Sequence, residues 1–247
     1  MSSILLESLA CEFLVAQEWS RYRPEHHEAW SILYARRMAR LATTASAVYL
    51  RGLEKIGLGP EVVPDLAAVN RRLAPLTGWS ALPVSGFMPS GEFFHCLAER
   101  QFPTTITIRG LDSLDYITEP DIFHDVFGHV PLHADPVFAD YLQEFGRLAA
   151  GTSDSRALEQ LGRLFWFTVE FGLIRENGEV KVYGSGLISS SKDADNALSE
   201  RAKRRPFCLD GVFDQQVKTD ELQSVLFVLE SFDQLFEATA EARRRLA

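Results

Sequence analysis

Cysteine is scarce. Cys11, Cys96 and Cys208 are the only three in 247 residues, odd in number and widely spaced, which excludes a disulfide framework and a CxxC pair. A reducing cytoplasm is the expected location. Positive charge is also short, with 25 Lys and Arg against 34 Asp and Glu, and the net charge of −9 argues against binding to nucleic acid or an anionic membrane. The basic terminal run ARRRLA is brief and suits a helix C-terminus. Long apolar runs are missing: the opening MSSILLESLACEFLVAQEW meets Glu7 and Glu12 early and lacks a basic start, so it is expected to be neither a membrane span nor a secretory signal. No repeat, low-complexity tract or linker divides the chain, so residues 1–247 are expected to form one domain.

What is present suits a sizeable buried core: 46% of residues are hydrophobic and 24% charged. Helical patterns dominate, with small β elements. The run from Pro24 to Gly57 has helix formers throughout, acidic residues near its start and glycine at its end, which predicts one long helix. Shorter helices are expected near 65–74 and 90–100, and a strand over Thr104–Arg109. Asp135 followed by Pro136 marks a helix start, and Asp154 or Ser155 another. Asn177-Gly178, inside ENGEVKVYGSG, predicts a hairpin turn.

PDIFHDVFGH places His124 and His129 five positions apart among apolar residues. On an ideal helix five residues advance roughly 500°, leaving the two side chains about 140° apart around the axis. Convergence then requires an irregular backbone: Gly128 can relax it, and Pro131 favours an extended residue before it, so the second histidine is expected where the helix ends. The zinc-protease pattern HExxH needs a shorter spacing and Glu beside the first histidine, where this chain has Asp125. Taken alone the pair could equally be two hydrogen-bonded core histidines.

Glu170, in RLFWFTVEFGLI, supplies a third donor. A carboxylate between Val169 and Phe171 is costly unless a cation or good hydrogen bonds compensate it, and its neighbours at i±3 and i±4 are Trp166, Phe167, Leu173 and Ile174. Two imidazoles and one carboxylate form the facial arrangement that favours non-heme Fe(II) and leaves positions open for oxygen and water. Asp121, one turn before His124, could orient an imidazole or simply be an acid at a helix N-terminus. A zinc hydrolase and a metal-free helical binding protein are the readings from other classes.

PDIFHDVFGHVPL, FWFTVEFGL and YGSGLISS, in this order and at these separations, resemble the catalytic domain of the aromatic amino acid hydroxylases, above all the short bacterial phenylalanine-type members. The resemblance runs from about Arg21 to Phe236. It implies a mostly α-helical, basket-like catalytic domain without regulatory domain or oligomerisation tail, and so a monomer. It implies Fe(II) on His124, His129 and Glu170, with tetrahydropterin and O2 as cosubstrates; one oxygen atom goes to an aromatic amino acid, the other to the pterin. GFMPSGEFF resembles the cofactor loop, so Gly86, Phe87 and Met88 would offer backbone hydrogen bonds and Phe93 a stacking face, with Asp125 reaching the pterin through water. Arg109 would grip the substrate carboxylate, a task suited to its bidentate fork. Pro120, His124, Trp166, Phe171, Gly186 and Ser189 match positions around the substrate.

Three positions depart from the family pattern. Ile117 replaces a threonine near the substrate carboxylate, Phe165 a tyrosine beside Trp166, and Ser185 the alanine of YGAG. Ser185 is expected beside the substrate ring, where a displacement of about an ångström would present another carbon to the oxidant. Val228 agrees with an apolar pocket for phenylalanine, the leading substrate, with tryptophan as the alternative. RAKRRPFCLDGVFDQQ also departs, at one wall of the pocket.

Overall fold

The computed structural model describes residues 12–115, 119–219 and 221–246. Ile117 and Cys11 lie outside the described residues, as does the start of the N-terminal segment. Among the described residues the fold is mostly helical with two small sheets. Among the described residues no helix is long and apolar enough to cross a membrane.

The helix expected from Pro24 to Gly57 is two helices, Pro24–Thr44 and Ala47–Ile56. Ala45 and Ser46 are extended between them; the Ser46 N–H donates to the Val182 carbonyl at 2.9 Å, and its hydroxyl accepts the Tyr49 N–H at 3.2 Å. Serine before an apolar run is a capping signal, masked here by helix formers on both sides. Helices Leu66–Thr77 and Ser90–Ala98 fall where expected. Asp135 caps helix Pro136–Ala150 through the Val137 and Phe138 N–H groups, and Asp154 caps Ser155–Phe165 through that of Ala157. The closing helix, Asp233–Leu246, carries Arg243, Arg244 and Arg245 in its last turn, where they complement the helix dipole.

Strand β1, Ser80–Val84, pairs in parallel with β2, Gln101–Thr105, and helix Ser90–Ala98 is the crossover. The strand expected over Thr104–Arg109 therefore starts and stops earlier. Residues after Thr105 leave the sheet because other partners take their polar groups: Tyr22 donates to the Ile106 carbonyl at 2.5 Å, Ile122 N–H to that of Thr107 at 2.8 Å, and Arg109 N–H to Asp121 at 3.1 Å. In the second sheet β3, Leu173–Glu176, and β4, Glu179–Val182, form the expected hairpin, with Asn177 and Gly178 at φ 52° and 82°. With β5, Lys203–Pro206, and β6, Val225–Leu229, the order is β4-β3-β6-β5. The departing segment KRRP is thus an exposed, basic edge strand, a composition that discourages further pairing.

Among the described residues the main hydrophobic core runs from Trp30 to Ala242, and Val84, Met88 and Cys96 form a second, small cluster. Phe123 and Phe127 stack at 4.6 Å beneath Trp30, fixing the inner face of the histidine segment. Each such side chain contributes roughly 1.5–3 kcal/mol by leaving water. At Gly52 the helix Ala47–Ile56 passes so close to the post-histidine turn that an added Cβ would lie 1.9 Å from the Pro131 carbonyl oxygen. Gly52→Ala is accordingly expected to cost about 1–3 kcal/mol, read as a lower urea midpoint at unchanged slope; an unchanged midpoint would contradict this packing.

Candidate metal centre and the cavities around it

The histidines converge because Phe123–His129 is π-helical. A π-helix bonds i to i+5, so residues five apart stack one above the other instead of standing 140° apart. His124 and His129 bring their Nε2 atoms to 3.3 Å, with the rings edge to face. The unusual turn is held from outside: Asp121 Oδ1 accepts the His124 N–H at 3.0 Å, and the buried Tyr49 hydroxyl donates to the Phe127 carbonyl at 2.8 Å. Gly128 serves close approach, since a Cβ there would meet that of Ser185 at 3.1 Å. His129 is the last residue of the π-helical segment, as expected, but Pro131 does not make the residue before it extended. Val130 stays helical at φ −61°, ψ −33°, and the chain continues as the tight turn Val130–Ala134, at whose start proline's missing N–H loses no bond.

Glu170 closes a second π-helical segment, Trp166–Glu170, sealed by the Phe171 N–H to the Trp166 carbonyl at 2.8 Å. Its Oε1 lies 3.0 Å from His129 Nε2 and its Oε2 3.6 Å from His124 Nε2. One donor atom from each of the three residues falls within 4.8 Å of the others. Burial works against ionisation of Glu170, yet His129 and His124 together with the Ser185 hydroxyl outweigh it and bring the pKa to about 2. The pocket is therefore built to hold Glu170 as an anion.

Hydrogen bonding also selects the tautomer of His124. Ser189 spends its proton on the Ser185 carbonyl at 2.8 Å, so at 2.9 Å from His124 Nδ1 its oxygen accepts, which places the ring proton on Nδ1 and frees Nε2. The group orienting this imidazole is thus Ser189. Asp121, considered for that task, binds the His124 backbone and, through both oxygens, Arg109 at 2.8 Å. Burial favours the neutral form of Asp121, but Arg109 and the two backbone N–H groups hold its pKa below the ordinary 3.8.

A cavity of about 450 Å³ opens over the three donors. It is lined by the loop Gly86, Phe87 and Met88, by Phe93 and Asp125, and by Pro120, Trp166, Phe171 and Gly186. Phe87 stands at its mouth, 78% exposed. A larger cavity, about 820 Å³, reaches His124 and Gly186 from the other side and is lined by Arg109 and Ser189. Asp125 is buried, not solvated as a helix-surface acid would be; its Oδ2 accepts the N–H and hydroxyl of Thr105, both at 2.8 Å, and burial raises its pKa. Phe165 packs edge to face on Phe93 at 5.6 Å, so its missing hydroxyl leaves an aromatic contact.

Two expected pocket residues line neither cavity. Ser185, 1% exposed, turns its hydroxyl to Glu170, and Val228 lies within β6 opposite Leu173 and Pro206. Sequence reasoning also missed Arg37. Buried between Leu33 and Leu41 on one helix face, it donates to the Leu187 and Ile188 carbonyls at 2.8 and 2.6 Å and so fixes the end of helix Ser185–Ser189; burial lowers its pKa to about 10. Leu33 and Leu41 at i±4 were the available signal, weakened by Arg40 at i+3.

The donor chemistry fits a divalent transition metal: one imidazole is locked in the metal-binding tautomer, a carboxylate is held ionised, and all three donors face a cavity. This fold and this site define a mononuclear 2-His-1-carboxylate metalloenzyme. Residues 5–245 match the family model described as biopterin-dependent aromatic amino acid hydroxylase, and the chain belongs to that family. That membership sets aside a zinc hydrolase and a metal-free binding module. The phenylalanine-4-hydroxylase of Chromobacterium violaceum is 40% identical over 232 residues, covering 94% of this chain and 78% of the relative. That of Ralstonia nicotianae is 40% identical over 234 residues, covering 94% and 75%. The solved phenylalanine hydroxylase of C. violaceum with bound iron(III) and 7,8-dihydrobiopterin superposes with a TM-score of 0.90 at 37% identity, covering 100% of this chain and 93% of the other.

Proposed function

We propose that this chain is an Fe(II)- and tetrahydropterin-dependent monooxygenase that converts L-phenylalanine to L-tyrosine with O2. The observation that carries the reading is the His124, His129 and Glu170 cluster at the junction of two cavities, one apolar and fronted by the GFM loop, the other holding Arg109. The names of the bacterial relatives support phenylalanine as substrate.

In this reading His124 Nε2, His129 Nε2 and a Glu170 oxygen hold the iron. Iron and reduced pterin, when bound, supply the activation of O2 that puts one oxygen atom on the ring and the other on the pterin. The protein supplies alignment and a shielded site. Gly86, Phe87 and Met88 would offer backbone groups to the pterin, Phe93 would pack against it, and Asp125 would reach it through water. Arg109 spends Nε and Nη2 on Asp121, while Nη1 makes only a 3.4 Å contact to the Leu114 carbonyl and is left for the amino-acid carboxylate. Trp166 and Phe171, packed on each other with ring centroids 4.8 Å apart, would form with Pro120 an apolar wall against the substrate ring. Gly186 permits this, since a Cβ there would touch the Phe171 ring at 3.0 Å. Ser189 serves substrate geometry through His124.

The test is anaerobic reconstitution with Fe(II), then addition of O2, tetrahydropterin and each aromatic amino acid in turn, with products identified by mass and ring position. Tyrosine formed from phenylalanine is the expected product; absence of pterin-dependent hydroxylation of every substrate sinks the reading, and a hydroxytryptophan product replaces the substrate. We also place the enzyme in the cytoplasm as a monomer. Free Cys96 and Cys208 and the scatter of its exposed apolar side chains, such as Leu14, Val62 and Val137, support this; light scattering at twice the monomer mass would reject the monomer.

A further inference from the structure

The hydroxyl of Ser185 has one proton and two acceptors within reach, Glu170 Oε2 at 2.7 Å and the Val169 carbonyl at 3.4 Å. The shorter, charge-assisted contact takes it. The two oxygens of Glu170 thereby differ: Oε1 faces His129 Nε2 at 3.0 Å, while Oε2 carries a donor. The local backbone enforces this. A Cβ on Gly184 would lie 2.5 Å from the Glu170 carbonyl oxygen, and one on Gly186 3.1 Å from it, so this stretch of chain is pressed onto Glu170 with Ser185 supplying its one side chain. The same five-residue helix, Ser185–Ser189, holds His124 through Ser189, and Arg37 anchors its far end. Two metal-binding side chains are thus held by one short element.

We propose that Ser185 is a positioning residue for the metal-binding carboxylate: by donating to Oε2 it orients Glu170 and draws electron density from that oxygen, favouring Oε1 as the oxygen that binds the metal. A carboxylate with both oxygens free can chelate a metal through both and fill a position that oxygen or water would otherwise take. This inference rests on the metal-site reading above, and its test keeps the two apart.

The metal-free protein and its Ser185→Ala variant are each titrated with Co(II), measuring affinity by chelator competition and coordination by the visible d–d spectrum. Alanine removes one oxygen and adds no atom, so the variant is expected to fold. The expected result is a shifted d–d spectrum in Ser185→Ala, whichever way the affinity moves, because a carboxylate released from its hydrogen bond is free to change how it binds the metal. A spectral change at unaltered affinity also supports the assignment. A spectrum identical to the parent's overturns it, whether or not the affinity falls, because weaker binding alone is what a merely structural serine would give. If the parent itself binds no Co(II), the metal-site reading falls, and this inference with it.

Discussion

Glu170→Ala is expected to abolish pterin-dependent hydroxylation and to weaken Fe(II) binding by at least about a hundredfold, since loss of a mere partner of a metal ligand already costs 10–100-fold. The reason is electrostatic. The carboxylate is the one anion of the donor set, and its pKa of about 2 shows how strongly the pocket favours its charge. Without it a divalent cation meets two imidazoles only. Glu170→Gln, which keeps the shape and loses the charge, is expected to lose nearly as much affinity, separating charge from packing. The metal-free alanine variant is expected to fold with a lowered urea midpoint, since it loses the stabilisation that the ionised carboxylate draws from His129, His124 and Ser185. Because the folded pKa is depressed, the stability that Glu170 gains from ionisation is present above its ordinary 4.5 and is lost as the pH falls towards about 2. Loss of metal binding above pH 4.5 is therefore not the titration of Glu170. Iron titration with circular dichroism checks these points; an alanine variant with unchanged activity removes Glu170 from the ligand set.

The second large effect is expected at Asp121. Its pairing with Arg109 is buried, the side chains being 6% and 8% exposed, and its Oδ1 also caps the π-helical segment at His124. Asp121→Ala strands a guanidinium in the interior, at a cost of about 3–5 kcal/mol, and loosens the turn that brings the histidines together. Asp121→Asn retains one acceptor and should fall between that variant and the parent. The depressed pKa of Asp121 sets the sign with pH: the stabilisation from its ionisation is complete above the ordinary 3.8 and fades as the pH drops below it. Urea unfolding of the metal-free proteins at pH 7 reads the cost directly. A change below about 1 kcal/mol for Asp121→Ala, the range of an exposed pair, would show that the pairing is not buried in solution.

Both sites show why the readable part of the sequence stopped where it did. Glu170 could be singled out because no polar neighbour at helical spacing could pair with it, a rule that needs only the chain. The helix caps at Asp135 and Asp154 and the Asn177-Gly178 turn were legible for the same reason: each depends on residues within a few positions. The break at Ser46 was harder, because one capping hydroxyl stood against helix formers on both sides and the bond to Val182 lies far along the chain. The strand ended early at Thr105 because Tyr22, Asp121 and Ile122 claim the following residues. Ser185 was placed beside the substrate ring, where nothing local could show that its hydroxyl faces Glu170.

The sequence by itself determined the donor types, two imidazoles and an unpaired carboxylate in apolar surroundings, and through its three motifs the family they belong to. Only the tertiary structure decided how those donors meet. An α-helix would have parted His124 and His129, and a π-helix is seldom favoured by local preference, so beside the local bond to Asp121 the turn depends on distant Tyr49 and on Trp30 packed against the stacked Phe123 and Phe127. The tautomer of His124, the two unequal oxygens of Glu170 and the locking of Arg109 by Asp121 follow from contacts across 12 to 65 residues. Local sequence specifies which atoms can bind a metal; long-range packing specifies their distances and protonation.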